Sequence, residues 1–348
     1  MQNEAQPSAR VKAAIIGLGR IASILEEDAR REKPCTHAGA LSANHDCVIA
    51  AGCDTDEERR SLFANRWGAA VYADASEMIR AIQPELLVIA THPDSHFHYC
   101  NLAAEKGVPV VVCEKPLADT LSNAGKIVRL VNDAPEKKRI TILTNHERRY
   151  SADYIEAKRI LSSGVLGQLL GVRSVLCFEK DRRLLDVLWH DGTHMADVMM
   201  FLTGAGLKHR RQWGAKLNSN RGTARIEGEL VTPNGAENSG RREPVPFVME
   251  IGAERDHLIF EAEFSCTKGR LRIGNGVFEV WESDESPYAE NFRSLKKTRS
   301  GFEGPTGFFA NMMVDAVACV RDPNREPASS AEDGLKVIKY LNSIKTWR

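Results

Sequence analysis

The chain has no charge bias. Its 47 basic residues are matched by 47 acidic ones in a length of 348, which removes the electrostatic drive toward nucleic acid or an anionic membrane and leaves a small molecule as the simpler partner. Long apolar runs are also missing: no segment approaches the roughly 20 apolar residues needed to cross a bilayer. The N-terminal run 13–16 breaks at Gly17, so it does not read as a secretory leader. The eight cysteines contain no CxxC pair, and several sit inside apolar runs such as 110–113; they read as buried thiols rather than a disulfide framework or a zinc module. No internal repeat is visible. These absences together predict a soluble, cytoplasmic protein of two ordinary domains, since the length exceeds one typical core and falls short of three.

Across residues 11–144, short apolar, β-branched runs alternate with longer amphipathic stretches, the pattern of parallel strands joined by helical crossovers. Strands are predicted at 11–16, 48–54, 70–72, 86–90, 110–113 and 140–144. Most are apolar throughout, as strands buried on both faces should be. A helix at 151–163 ends at Gly164, after which extended segments predominate: 168–178, 210–217, 224–231, 246–252, 257–266, 271–273 and 277–281. Helices are expected at 186–202, 307–321 and 330–344, and 232–244 reads as a polar loop. The fold class expected is α/β plus α+β: a doubly wound parallel sheet over residues 1–145, then a mostly antiparallel open sheet covered by helices over 146–348. The C-terminal helices are free to pack back on the first domain.

The first strand runs into Gly17-Leu-Gly19-Arg20-Ile21-Ala22, a GxGxxA turn placed where a helix should open. Gly17 allows the tight turn, Gly19 lets the backbone approach a pyrophosphate, and the helix start offers N–H donors to it, the arrangement of a Rossmann dinucleotide site. The second strand ends in Asp54, where an acid binds the adenosine ribose hydroxyls and disfavours a 2′-phosphate, so NAD is expected over NADP. Arg59 and Arg60 temper that preference, although one turn into a helix they are expected to face solvent. Asp54 follows Gly19 by 35 residues where the usual gap is roughly 20. The surplus is assigned to the charged stretch 23–34, as a helix extension or a flap, with a solvated helical face preferred.

Glu114-Lys115-Pro116 follows the fifth strand. Thr91-His92-Pro93 with His96 follows the fourth, Arg148-Arg149-Tyr150 the sixth, and Gly164-Val-Leu-Gly167 marks the domain junction. Gly192-Thr-His194-Met-Ala-Asp197 lies on the main helix of the second half. In this order and spacing the chain resembles the Gfo/Idh/MocA family of sugar and polyol dehydrogenases over nearly its whole length. The resemblance implies that Lys115 reaches the reacting oxygen beside the nicotinamide and that His194 is the catalytic histidine, with hydride transferred across a domain cleft. The residues support both: a lysine after an apolar strand and before a rigid proline is partly desolvated and so suited to proton transfer. His190, His194 and Asp197, at i, i+4 and i+7, share one face of a continuous helix.

The expected cofactor residues are Gly17, Gly19, Arg20, Ile21, Asp54, Thr91, His92, Pro93, His96, Glu114 and Lys115. The expected catalytic residues are Lys115, His194 and His190, and the substrate residues Lys115, Arg149, Asp191, His194 and Asp197. No metal site is expected, because His190 and His194 lack a third ligand at suitable spacing. Asp94 reads as the N-cap of the helix after the fourth strand, while Trp189 and Phe201 read as packing residues. The chain departs from the family at three places: His190 stands where many members carry an acid, Arg182-Arg183-Leu-Leu replaces paired glycines, and Glu147 stands where an asparagine is common. Two other activities stay open, a redox-neutral elimination or glycoside cleavage assisted by bound NAD, and a non-catalytic sugar or nucleotide sensor. The uncovered face of the second sheet suggests a homodimer or homotetramer.

Overall fold

A computed structural model describes residues 9–135, 139–178, 182–231 and 244–345. The chain divides into two compact units, residues 1–150 with 307–335 and residues 151–306 with 336–348.

The first unit is built on a six-stranded parallel sheet of order β3-β2-β1-β4-β5-β6, comprising β1 (Val11–Ile16), β2 (Cys47–Cys53), β3 (Ala70–Tyr72), β4 (Leu86–Ile89), β5 (Val110–Cys113) and β6 (Thr141–Thr144). Each of the first five strands feeds a crossover helix: α1 (His37–Ala43), α2 (Glu57–Trp67), α3 (Ala75–Ile82), α4 (His96–Glu105) and α5 (Leu121–Asn132). Every residue of β4 and β5 is buried, which is why these strands read as plain apolar runs. The order reverses between β1 and β4, so a crevice opens at their carboxyl ends, where doubly wound sheets bind ligands. Helix α9 (Phe308–Arg321) adds Phe309, Met312, Met313, Ala316 and Val317 to this core, and Leu143 bridges to Ser330.

The second unit holds an eight-stranded sheet of order β14-β13-β12-β11-β7-β10-β9-β8. Its strands are β7 (Leu169–Cys177), β8 (Gly206–Gly214), β9 (Thr223–Val231), β10 (Pro246–Gly252), β11 (Ile259–Cys266), β12 (Gly269–Gly274), β13 (Val277–Glu285) and β14 (Arg293–Ser300). Neighbours are antiparallel except the β10–β7 pair. In β9, buried Ala224, Ile226 and Leu230 alternate with half-buried Arg225, Glu227 and Glu229, the period of two that a sheet covered on one face imposes. Helices α6 (Ala152–Ser162), α7 (Leu184–His190), α8 (Gly192–Thr203) and the latter part of α10 (Ala331–Lys345) join the apolar face in one core.

Three expectations are corrected. The helix at 186–202 is two helices, α7 and α8, meeting at Asp191 (φ −106°, ψ −29°). Strand β14 was not expected, because Arg293, Lys296, Lys297 and Arg299 leave it no apolar face to read. Asp94 does not cap α4: Ser95 holds the cap position, and its hydroxyl donates instead to the His92 carbonyl at 2.8 Å. Most of the polar loop expected at 232–244 lies outside the described residues. No described helix is long and apolar enough to cross a membrane, and all eight cysteines are free thiols, buried except for half-buried Cys266.

Candidate nucleotide and catalytic sites

The glycine loop fits a dinucleotide. Gly17 has φ +84°, and a Cβ there would lie 2.7 Å from the Ala90 carbonyl oxygen, so no other residue fits this turn without moving β4. Its N–H donates to the Cys53 carbonyl at 2.8 Å. At Gly19 a Cβ would meet only the Arg59 guanidinium, 3.9 Å away, so the backbone is open to close approach. The Leu18 N–H donates to Asp54 Oδ2 at 2.8 Å, and the Asp56 N–H to Oδ1 at 2.9 Å, which fixes the acid at the tip of β2 beside the loop. Arg20 is exposed and Ile21 half-buried. Both expected solvent-facing arginines are engaged: Arg59 Nη1 stands 3.7 Å from Asp54 Oδ2, and Arg60 Nη1 donates to the carbonyls of Asp54 and Thr55 at 2.8 and 3.0 Å.

The surplus between Gly19 and Asp54 is an excursion from a helix. After one turn, with the Ser23 N–H on the Gly19 carbonyl at 3.1 Å, the chain leaves; it returns where His37 and Ala38 donate to the Ile21 and Ala22 carbonyls at 3.2 and 2.9 Å. Those bonds span 16 positions (37 − 21) where an α-helix spans four, so 12 residues are looped out. The loop is largely exposed, as expected, but it is not a continuous helical face. It contains one 3₁₀ turn, Ile24–Glu27; most of its charged residues are exposed, and several of them still tie it to the fold. Glu26 accepts from the Thr36 hydroxyl at 2.6 Å and the Cys35 N–H at 3.1 Å, and Glu32 accepts from the Gly307 N–H at 2.7 Å. Glu27 pairs with Arg66, and Trp67 Nε1 donates to Ser23 Oγ at 2.8 Å. Glycine at 39 suits this arrangement, since a Cβ there would fall on the Glu26 carboxylate.

Lys115 leaves the end of β5 half-buried, joined to Pro116 by a cis peptide. Its neighbour Glu114 is buried and fully engaged. Oε1 accepts from His37 Nε2 at 2.7 Å and from Asn145 Nδ2, and Oε2 accepts from the Lys115 N–H at 3.1 Å. Burial pushes the Glu114 carboxyl up, but the hydrogen bond and charge of His37, the charge of Lys115 and the Asn145 bond outweigh it and hold the group down to about 2. Sequence reasoning missed His37 and Asn145. They stand 77 and 31 positions from Glu114, and no local pattern marks such a contact.

His96, expected to touch cofactor, is instead a buried brace. Nδ1 lies 3.1 Å from the Pro116 carbonyl oxygen and Nε2 3.1 Å from that of Thr91, so it ties the loop after β4 to the loop after β5, and burial lowers its basicity. Thr91 and Pro93 are half-buried and His92 is exposed. Arg149, expected at the substrate, pairs with Asp333 at 3.0 Å and donates to the Ala328 carbonyl at 3.1 Å; the structure uses it to hold the first unit together.

In the second unit the helix break alters the face expected to be catalytic. His190 ends α7, whereas His194 and Asp197 lie on α8, so the shared face is reduced to the last two, three residues apart. His194 is half-buried and Asp197 buried. Asp191 sits at the junction between His190 Nδ1 at 3.0 Å and Arg182 Nη1 at 3.0 Å, and Arg182 stacks over Phe178. Trp189 and Phe201 pack against the core as expected.

A six-stranded doubly wound sheet with a glycine turn at its switch point defines a Rossmann fold. Residues 11–142 match the oxidoreductase family with an NAD-binding Rossmann fold, Gfo/Idh/MocA. D-glucoside 3-dehydrogenase of Escherichia coli is 24% identical over 216 residues, 58% of this chain and 56% of the relative. Inositol 2-dehydrogenase 2 of Saccharopolyspora erythraea is 32% identical over 128 residues, 36% of this chain and 37% of the relative. The chain thus matches little more than half the length of these relatives at most. An oxidoreductase from Agrobacterium radiobacter, solved with NAD+, L-tartaric acid and magnesium, superposes with a TM-score of 0.70 at 20% identity, covering 96% of this chain and 95% of that one. That likeness extends the shared fold over both units.

Proposed function

We propose that the protein is a nicotinamide-dependent dehydrogenase or reductase acting on a secondary alcohol or ketone of a sugar, cyclitol or related polyol. The observation that carries the reading is the common placement of two features at the carboxyl edge of one parallel sheet: the Gly17–Gly19 cradle with Asp54, and the Glu114-Lys115-Pro116 loop braced by His37, Asn145 and His96. The names of the matched relatives support the substrate class. When bound, the nicotinamide supplies the hydride acceptor or donor.

Gly17, Gly19, Arg20 and Ile21 cradle the pyrophosphate, and Asp54 takes the ribose hydroxyls. Thr91, His92 and Pro93 line the next loop. Lys115 donates a hydrogen bond to the reacting oxygen and stabilises the alkoxide, while His194 takes the hydroxyl proton during oxidation. His190, oriented by Asp191, stands beside that step, and Asp191 and Asp197 position the substrate hydroxyls. Asp54 favours NAD over NADP. A homodimer or homotetramer formed through the open sheet face is the proposed assembly, tested by sedimentation.

The activity test is a panel including myo-inositol and methyl glucosides, followed by nicotinamide absorbance. A substrate is expected whose turnover falls at least a hundredfold, on the order expected for loss of acid–base catalysis, in both Lys115→Ala and His194→Ala. Normal turnover in both variants would sink the assignment.

A further inference from the structure

The two arginines in the first turns of α2 serve different ends. Arg60 is bound to backbone carbonyls and braces the end of β2. Arg59 reaches the other way. Its guanidinium is about half exposed, stands 3.7 Å from Asp54 Oδ2 and 3.7 Å from Asp56 Oδ2, and approaches the space above Gly19. Among the described residues its side chain is tied by two long ion pairs, which an exposed side chain exchanges at little cost.

Asp54 is the opposite case. Its side chain is only 8% exposed, and each oxygen already accepts a backbone N–H. A carboxylate held this way cannot rotate aside when a ribose carries a 2′-phosphate, so by itself it would exclude that group. The Leu18 and Asp56 N–H bonds also mean that Asp54 stays satisfied if Arg59 leaves it. The guanidinium is therefore a cation beside the ribose position, free to change partners, and its planar fork matches a phosphate.

We infer that Arg59 admits the 2′-phosphate, so that the protein binds NADP as well as NAD, with NAD preferred because the fixed Asp54 still faces the ribose. This rests on the reading of Asp54 as the ribose-binding acid. In the NADP complex Arg59 turns from Asp54 to the phosphate; in the NAD complex it stays with the two carboxylates. Asp54 therefore sets which cofactor is preferred, and Arg59 sets how strict the preference is.

The test is titration of the full chain with NAD, NADP and adenosine 2′,5′-bisphosphate, followed by calorimetry or protein fluorescence, without any substrate. The wild type is expected to bind all three. Arg59→Gln should weaken NADP and the bisphosphate by about 10- to 100-fold, the worth of a charge-assisted contact, with NAD changed by less than about threefold, and Arg59→Lys should recover part of the loss. NADP binding should also fall more steeply with salt than NAD binding, and that extra slope should vanish in Arg59→Gln. A wild type that binds NAD but not NADP overturns the inference, as does an equal loss of both cofactors in Arg59→Gln. A wild type that binds no nucleotide overturns the underlying nucleotide site along with it.

Discussion

The parallel sheet hides both of its faces, whereas the eight-stranded sheet hides one and clothes the other in charge. Each solution handles polar groups differently. In the first unit the few polar side chains at the strand ends are buried and locked to one another: Glu114 to His37 and Asn145, Asp54 to two backbone N–H groups. In the second unit Arg225 pairs with Glu250, Arg270 with Glu263, Arg272 with Glu261 and Glu279, and Lys297 with Glu279. These pairs cross between neighbouring strands, and Arg225 and Arg270 also stack on Trp213 and Trp281. A buried partner is costly to lose because its mate is left uncompensated. A surface partner is replaced by water. The first sheet therefore concentrates stability and chemistry in a few irreplaceable contacts, and the second spreads a weak lattice over its open face.

The sharpest way to break this contrast is at His37. Replacing it with Leu strips Glu114 of its imidazole partner inside the core, and the loss of one member of a buried pair costs about 3–5 kcal/mol. Denaturant unfolding of the variant should show that loss. The pH dependence carries the same information. Glu114 is held down to about 2 from 4.5, so its contribution is complete above pH 4.5 and disappears as pH falls toward 2, about 3 kcal/mol in all. In His37→Leu that decline should end at higher pH and be smaller. If the variant unfolds like the wild type at neutral pH, the buried network is not where the stability of the strand ends resides.

A middle-sized effect tests the excursion. Alanine normally stabilises a helix by about 1 kcal/mol over glycine, but at position 39 the added methyl falls on the Glu26 carboxylate. Gly39→Ala should therefore destabilise, by about 1–3 kcal/mol as for an overpacked site. On a Glu26→Ala background the same substitution should become neutral or favourable. A double-mutant cycle in thermal unfolding reads the sign change, and additivity would show that Glu26 does not occupy that space.

The contrast between the sheets also explains what could be read from the sequence. The parallel strands were legible because burial on both faces leaves nothing but apolar residues, and β1 and β5 were placed to the residue. The 35-residue gap disclosed the excursion but not its form, since returning to the same helix at His37 depends on hydrogen bonds to Ile21 and Ala22 that leave no pattern. The His37–Glu114 contact was hidden for the same reason, being tertiary. In the second sheet, alternation gave β9 and β10, while β14 escaped because its side chains are mostly charged and exposed. The break at Asp191 was masked by a hydrophobic period that runs on through both helices, although Gly192 was its one local sign, a Cβ there lying 3.0 Å from Leu188.

The smallest effects belong on the charged face. Arg272 lies between Glu261 and Glu279, and Lys297 shares Glu279, so this is the densest part of the lattice and the strongest case against treating it as weak. The Arg272 side chain is 39% exposed and those of its carboxylates 24% and 19%, so water replaces most of what a deletion removes. Arg272→Ala should cost about 1 kcal/mol or less, including the packing of its stem. The coupling between Arg272→Ala and Glu279→Ala should be a few tenths of a kcal/mol at low ionic strength and vanish near 1 M salt. A loss near that of His37→Leu, or a coupling that survives high salt, would mean that this face is buried in the folded assembly. The open sheet would then be a protein interface in solution, and its ion pairs would follow the same rule as Glu114.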